Sequence, residues 1–559
     1  RLEVLRHERP TVRVPEPVGY RVVTVDGGAM TLMLEEPDLE SWGAGLFRHS
    51  IYGAAFHLVD EPDVLVIGAG GGGDIETALY WGARRVVGVE ISRSTIDALE
   101  GPYADFAGWP RHPSVELVHT DGRAYAKATD ERFDVVQMSG VDTVTAHASG
   151  SMVTVEDYLY TEEAFTDFLR LLDEGGVLSV TRFGDEALHL SLIAVRALRN
   201  LGVEHPERCI AAFRQAKLSG ILVRREPFSG EDLEALRRFD RRRRPSGVEI
   251  PIYDVGGIAL GAPVTMLHPL GDEPAPRYRL FFNAVARGDE EDPEVHRKLG
   301  VAFRVPTDDR PYYMLGMWAH LIDAREDHPT VRLLFASAAV IAASSLALIL
   351  LPALLLRRRA GAGAGNMAAV VVYFFGLGAG FMLLEVGLIH RAMVFVGTPG
   401  ASVAVVLSAI LVSSGIGARL SDRARLSLTG RALAALGGLA AVGTAYFFGA
   451  GPLFDALFSL PAWVRCVAAA IAIAPAGFFM GWFFPLGLRA VGARFGDLVP
   501  WAIAINGFAS VLGSLGTFFL GVAFGFSGVF AIALAAYAAA VAAFVPFARR
   551  ADRAAGGSR

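Results

Sequence analysis

Cysteine is nearly absent: Cys209 and Cys466 are the only two in 559 residues. Two thiols build neither a disulfide framework nor a cysteine zinc site, and no metal is expected. A strong excess of one charge is lacking as well. The formal net charge is -6 and the arginine clusters are local, so nothing points to nucleic acid as a partner. Neither an initiator methionine nor a signal peptide opens the chain, which begins Arg1-Leu2-Glu3. A fragment is the expectation, with room before it for further membrane helices. Charge itself becomes scarce beyond Val331.

What is present is length and uneven hydrophobicity. The chain is too long for one ordinary domain, and 52% of it is hydrophobic. Residues 1 to 330 carry charges throughout. Beyond them run apolar segments near Val331–Leu356, Met367–Ile389, Ala401–Ala418, Ala432–Gly449, Val464–Leu488, Trp501–Phe524 and Val529–Phe547. Most approach the roughly 20 residues that cross the hydrocarbon of a bilayer. The expected division is a β-rich entry over 1–60, a Rossmann-like domain over 61–240, an irregular connector over 241–330, an all-α transmembrane domain of about seven segments over 331–548, and a tail over 549–559. The lipid bilayer is thus an expected partner; a homo-oligomer is left open.

Tyr20 to Val25 alternates, Asp26-Gly27-Gly28 is a turn, and Met30 to Leu34 is a second short strand. Five short apolar runs of the buried-strand type follow: Val64–Ile67, Arg85–Glu90, Val115–His119, Phe133–Met138 and Val177–Thr181. Helical stretches fill the gaps, such as Glu162 to Leu172, which the Gly175-Gly176 pair ends. Alternating strands and helices imply a doubly wound α/β sheet. Arg241–Arg244 and Asp289–Glu294 read as solvated charge runs.

Gly68-Ala-Gly70-Gly-Gly72-Gly73-Asp74 follows the first of these strands and opens a helix. Gly68, Gly70 and Gly73 fit G-x-G-x-x-G, a tight turn without Cβ atoms that lets backbone and ligand approach. Glu90 ends the second strand, where a carboxylate can accept both ribose hydroxyls. Asp121-Gly122 follows the third, where a short acid can accept from an adenine amino group. The combination reads as a nucleoside site. Asp74 at the helix start would repel a pyrophosphate and attract a cation, which favours an adenosine bearing a sulfonium over a dinucleotide. The alternative is an N-cap aspartate that touches no ligand.

At these residues the chain resembles the spermidine synthase family, through Gly70 to Asp74, Glu90, Asp121-Gly122, Asp26-Gly27 and Leu159-Tyr160-Thr-Glu-Glu-Ala-Phe165. The membrane half resembles multi-pass, spermidine synthase-like proteins of bacteria, through Glu385 to Arg391, Gly397-Thr-Pro399, Met480 to Gly487, Asn506 to Ser510, and Thr307-Asp-Asp-Arg-Pro311 just before it. The resemblance implies an AdoMet-type Rossmann-like domain, decarboxylated S-adenosylmethionine or S-adenosylmethionine as donor, and transfer of an aminopropyl group to a small-molecule amine.

The family carries Asp-Ser-x-Asp-Pro after the fourth strand, its first acid helping to deprotonate the amine and its second binding the acceptor. Here the stretch is Ser139-Gly-Val-Asp142-Thr143. Asp142 keeps the acceptor role that the resemblance implies, but a serine is no base near neutral pH without an activating partner. The family's early Tyr-His-Glu reads Arg48-His49-Ser50. Replacement bases are His49, His147 and Glu156, each also readable as an ordinary packed or exposed side chain. Tyr158 and Tyr160 either wall the acceptor pocket or pack a core. Three functions stay open: an aminopropyltransferase-like enzyme, a methyltransferase using the intact cofactor, and a transporter or sensor whose nucleoside domain only binds.

In the membrane half, Glu385 lies within an apolar segment and is read either as functional or as half of a pair with arginine. Asn506 suggests a helix-to-helix hydrogen bond, and Gly376, Gly378 and Gly380 close helix packing. Arginines gather at 357–359, at 419–425, at 489–494 and near the C-terminus, so those loops read as cytoplasmic. A crossing by Val331–Leu356 would then put the soluble domain outside. Large domains follow that charge bias weakly, and S-adenosylmethionine is made in the cytosol. The expectation is a multi-pass cell-membrane protein with a cytoplasmic soluble domain.

Overall fold

A computed structural model describes residues 2–6, 20–25, 29–35, 50–141, 155–215, 217–241, 253–255, 258–260, 264–266, 275–299 and 304–311, parts of 336–347, and 364–493 and 495–556. It divides into two units, Arg1–Ala319 and His320–Arg559.

In the first unit, β1 (Leu2–Arg6), β2 (Tyr20–Val25) and β3 (Ala29–Leu34) form a three-stranded antiparallel sheet. The expected hairpin strands are its second half, with Val25 opposite Ala29. Then come β4 (Asp63–Ile67), α1 (Gly73–Tyr80), β5 (Arg85–Glu90), α2 (Arg93–Glu100), α3 (Ala104–Ala107), β6 (Val115–His119), α4 (Gly122–Ala128), β7 (Phe133–Ser139), α5 (Glu162–Arg170), β8 (Leu172–Phe183) and α6 (Ala187–Asn200). The strands β6, β5, β4, β7 and β8 lie side by side in that order, all parallel. Strand order reverses at β4, which has β5 on one side and β7 on the other. A doubly wound sheet opens its ligand crevice at such a switch point, beyond the carboxyl ends of the strands.

Period-two alternation sends β4 side chains to both faces. Val64 and Val66 pack with Ile75, Ala78 and Phe213 on one side. Leu65 and Ile67 pack with Phe165, Phe168 and Leu192 on the other. All four are fully buried, which is why such strands read as continuous apolar runs.

Three features depart from the sequence reading. The sheet is mixed: β9 (Ile210–Gln215), β10 (Leu218–Val223) and, beyond α7 (Gly230–Arg241) and the small pair β11 (Tyr253–Val255) and β12 (Ile258–Leu260), β13 (Val264–Met266) extend it antiparallel past β8. Second, α5 stops at Arg170, and Gly175-Gly176 lie inside β8 rather than ending the helix. Gly175 has φ +71, and the β7–β8 register slips from Phe133↔Leu172 to Val135↔Val177 around it. The pair therefore marks a bulge, the other use of glycine in a strand. Third, the connector contains α8 (Pro276–Arg287) and α9 (Pro293–Leu299), and the 289–294 run is not all solvated. Glu290 is 1% exposed and receives two hydrogen bonds from Arg199 of α6.

The second unit is helical: α10 (Ala364–Val396), α11 (Pro399–Ser421), α12 (Leu428–Gly449), α13 (Gly451–Leu457), α14 (Ala462–Gly492) and α15 (Val499–Gly556). Among the described residues five helices are long and apolar enough to cross a membrane. The last holds two of the expected segments, joined at Gly525 (φ 73, ψ 171), a conformation essentially restricted to glycine. The expected segment 331–356 lies largely outside the described residues. Glycine makes the α10–α15 contact: a Cβ on Gly376 would stand 2.7 Å from the Ala536 carbonyl oxygen, and one on Gly378 would strike that of Asn506. Asn506 donates to the Phe374 carbonyl at 3.2 Å across the same contact. Glu385 is buried in α10 and makes no ion pair among the described residues. Arg391 and Arg465 donate instead to the carbonyls of Phe447 (2.6 Å) and Phe395 (3.0 Å).

Candidate functional site

The loop between β4 and α1 is held from three sides. Gly68 and Ala69 donate to the Val89 carbonyl of β5 at 2.8 and 3.1 Å. Gly70 donates to Glu90 Oε2 at 3.0 Å, while the other carboxylate oxygen receives Ser92 N at 2.8 Å. Glu90 is therefore a strut between the glycine loop and the start of α2. Burial raises its pKa, and the Ser92 and Gly70 amides oppose that rise. Gly71 donates to Thr31 Oγ1 of β3 at 3.1 Å, and a Cβ on Gly71 would collide with the Leu32 carbonyl. The N-terminal sheet thus covers the loop, a role nothing in its alternating pattern foretells.

Glycine is required here for two reasons. Gly68, Gly70 and Gly72 have φ of +80, +51 and +101. Gly72, the residue that caps α1, also lies against the Trp109 indole, which a Cβ would strike. Gly73 differs: it is exposed and nothing lies within 4 Å of a Cβ there. The third constrained glycine is Gly72 rather than the Gly73 of the G-x-G-x-x-G reading.

Asp74 occupies the first turn of α1 but does not cap it; Gly72 is the cap residue. Its Oδ1 accepts from Gln137 Nε2 of β7 at 2.7 Å, and the same amide also donates to the Tyr52 carbonyl at 3.1 Å. Burial pushes the Asp74 carboxyl up to about 6, against the opposing effect of Gln137 and of the Ser139 hydroxyl. The Ser139 oxygen is buried and otherwise has no hydrogen-bond partner among the described residues. Gln137 was legible in principle as a polar side chain inside the apolar Val135–Met138 run of the strand.

Asp121 caps α4, accepting from Ala124 N at 3.0 Å. Gly122 follows it because a Cβ would stand 2.5 Å from Ile67 of β4. Thr120 N donates to the Glu90 carbonyl at 3.2 Å, so the ends of β5 and β6 are tied beside Asp121. On the other side of the switch point, Val141 covers Gly68 and its carbonyl accepts from Tyr160 Oη at 3.4 Å. Tyr160 is buried in the core with its polar tip at the strand end, and the Arg182 guanidinium stacks 4.1 Å over its ring. Tyr158 is buried next to it. The structure therefore brings Gly68, Gly70, Gly72, Asp74, Glu90, Asp121, Gly122, Ser139 and Tyr160 to one edge of the sheet. Asp142, His49 and His147 lie outside the described residues, as does the side chain of Glu156.

Residues 50–202 match the model of the Spermine/spermidine synthase domain. This chain carries such a domain, followed by a helical part whose helices are apolar enough to span a membrane. Among curated relatives it is 26% identical over 185 residues to a polyamine aminopropyltransferase of Thermoplasma volcanium, covering 32% of this chain and 61% of that one. It is 28% identical over 221 residues to polyamine aminopropyltransferase 1 of Pseudomonas aeruginosa, covering 38% and 72%. The chain thus spans less than two thirds of the Thermoplasma relative. Among solved structures it is similar to the spermidine synthase from Thermotoga maritima, with 17% identity, TM-score 0.27, and coverage of 40% of this chain and 75% of that one.

Proposed function

We propose that this chain is a membrane-bound, spermidine synthase-like enzyme. It binds decarboxylated S-adenosylmethionine at the glycine loop and transfers the aminopropyl group to an amine. One observation carries the reading: a buried carboxylate, Asp74, heads α1 beside a glycine loop whose neighbouring strand ends in a second carboxylate, Glu90. A phosphate at that helix start would meet negative charge, whereas a sulfonium would meet a counter-charge. Glu90 would hold the ribose and Asp121 the adenine side. The names of the curated relatives support the aminopropyl group rather than a methyl group as cargo.

In the reaction, the acceptor nitrogen attacks the aminopropyl carbon bonded to sulfur. The carbon–sulfur bond breaks, its electron pair neutralises the sulfonium to give methylthioadenosine, and the new ammonium sheds a proton. The site's contribution is orientation of donor and acceptor and a counter-charge for the sulfonium. Asp142 would hold the acceptor amine and Tyr160 would wall its pocket. The soluble unit would face the cytosol, where the donor is made, with the helices in the cell membrane.

A second reading, a nucleoside-binding domain without turnover, is favoured by Ser139, whose hydroxyl stands where the family has an acid. One experiment separates these. Purified full-length chain is given decarboxylated or intact S-adenosylmethionine with putrescine, and products are followed by mass spectrometry. Methylthioadenosine formed with an aminopropylated amine is the expected result. S-adenosylhomocysteine would make it a methyltransferase, and saturable binding without product would favour the second reading.

A further inference from the structure

The Thr307-Asp-Asp-Arg-Pro311 stretch has no part in the site described above, yet it grips both sides of that site. Arg123 follows Asp121-Gly122 in the first turn of α4 and is 1% exposed. Its Nη1 and Nη2 donate to the two carboxylate oxygens of Asp308 at 3.0 and 2.9 Å. Its Nε donates to Asp167 Oδ2 of α5 at 2.7 Å. Nη1 further reaches the Tyr158 carbonyl (3.1 Å) and Thr161 Oγ1 (3.2 Å). Thr161, which caps α5 through Ala164 N, donates in turn to Asp308 Oδ1 at 2.8 Å. Asp308 N donates to Glu163 Oε2 at 3.0 Å, and Glu162 N to the Pro306 carbonyl at 3.0 Å. Backbone hydrogen bonds between Thr307 and Arg310 close a tight turn that presents Asp308.

We propose that residues 304–311 are a clasp that completes the site, with Arg123 and Asp308 as positioning residues. They lock the Asp121-Gly122 turn on the nucleoside side to the Tyr158–Thr161 segment on the acceptor side. What the site holds rests on the function proposed above; the clasp itself rests on geometry.

A guanidinium is costly to bury and pairs well only in fixed, bidentate geometry. Such a network adds little stability over apolar packing of the same volume, but it allows a single arrangement of the groups it joins. Burial alone would raise the Asp308 carboxyl; the charge of Arg123 and the hydrogen bonds from Arg123 and Thr161 outweigh it and hold it low. The groups facing Arg123 are therefore the anions Asp167 and Asp308, with Glu163 behind Asp308 and Lys127 3.5 Å from Asp167.

The test uses the full chain in detergent, comparing Asp308→Asn with Glu290→Gln. The latter breaks the Arg199–Glu290 pair, an equally buried bridge away from the site. Amide hydrogen exchange is read over 121–128 and 158–166, with 63–90 as an internal reference, and methylthioadenosine affinity by calorimetry. Asp308→Asn should speed exchange in both segments and weaken binding, each by about tenfold, the order of an equilibrium shift when a hydrogen bond to a charged group is lost; Glu290→Gln should do neither. Should Asp308→Asn fail to fold, Thr161→Val removes one strand of the network and should give the same pattern at a smaller amplitude. Wild-type exchange in both segments of a folded Asp308→Asn chain overturns the clasp, and so does an identical response from Glu290→Gln. Loosened segments in a chain whose wild type binds no methylthioadenosine would uphold the clasp and remove the proposed function.

Discussion

Gln137 reaches from the interior of β7 to hold one oxygen of Asp74 at 2.7 Å, so the carboxylate at the head of the glycine-loop helix is aimed by a residue 63 positions away. That bond ties the head of α1 to β7 beside the switch point, and it opposes the burial that raises the Asp74 carboxyl to about 6.

Asp74 sets a pH dependence of binding. Its folded-state value is about 6, so it is anionic at pH 7.5 and mostly neutral at pH 5. A sulfonium loses its counter-charge on going down that range. Calorimetry should find S-adenosylmethionine several-fold to about tenfold weaker at pH 5 than at pH 7.5, the loss being bounded by tenfold per pH unit below the titration. Methylthioadenosine, with a neutral sulfur, should change little. Asp74→Asn should bind the sulfonium weakly and without that pH dependence.

Glu90 supports the loop as well as any ligand. Glu90→Ala leaves the amides of Gly70 and Ser92 without their acceptor, at about 1–3 kcal/mol each where water cannot reach them. Adenosine-ligand affinity should fall at least tenfold and thermal unfolding should come earlier. Glu90→Gln keeps one acceptor oxygen and should fall between. Equal ligand affinity in all three proteins would remove Glu90 from the site.

Two adjacent glycines should behave oppositely. Gly72→Ala places a side chain at φ +101 against Trp109 and should cost at least about 1–3 kcal/mol. Gly73→Ala enters open space at an ordinary helical position and should be neutral or stabilising by up to about 1 kcal/mol. Denaturant unfolding of the two variants decides it.

Glu76, in the first turn of α1, is 2% exposed and neither carboxyl oxygen has a hydrogen-bond partner among the described residues. Burial raises its pKa well above the ordinary carboxylate value. The folded chain therefore holds this proton more tightly than the unfolded chain. The stability linked to it is fully present below the unfolded value and is lost as pH rises towards the folded one. Glu76→Gln should match wild type near pH 4 and unfold at a higher temperature at pH 8. A gap that shrinks with rising pH would contradict a neutral buried Glu76.

Some of this was legible from local pattern. The strand boundaries of β4 follow from a short apolar run, because a strand buried on both faces must be apolar throughout. The glycine loop was legible from its place after such a run. The bulge at Gly175-Gly176 was not: two glycines after a helical stretch fit a helix end equally well, and only pairing with β7 distinguishes them. Nor was the antiparallel extension by β9, β10 and β13, whose strands carry no mark of which neighbour they join.

The amino-acid sequence alone determined that there is a βα-alternating unit with a glycine loop after its first parallel strand, and that apolar helices follow it. Both depend on the order of residue types along a few tens of positions. Tertiary structure decided which groups meet: Thr31 with Gly71, Gln137 with Asp74, and Arg123 with Asp308 across 185 positions. Hydrogen bonds and ion pairs act over about 3 Å, and a chain brings distant side chains that close only after its strands have chosen their neighbours.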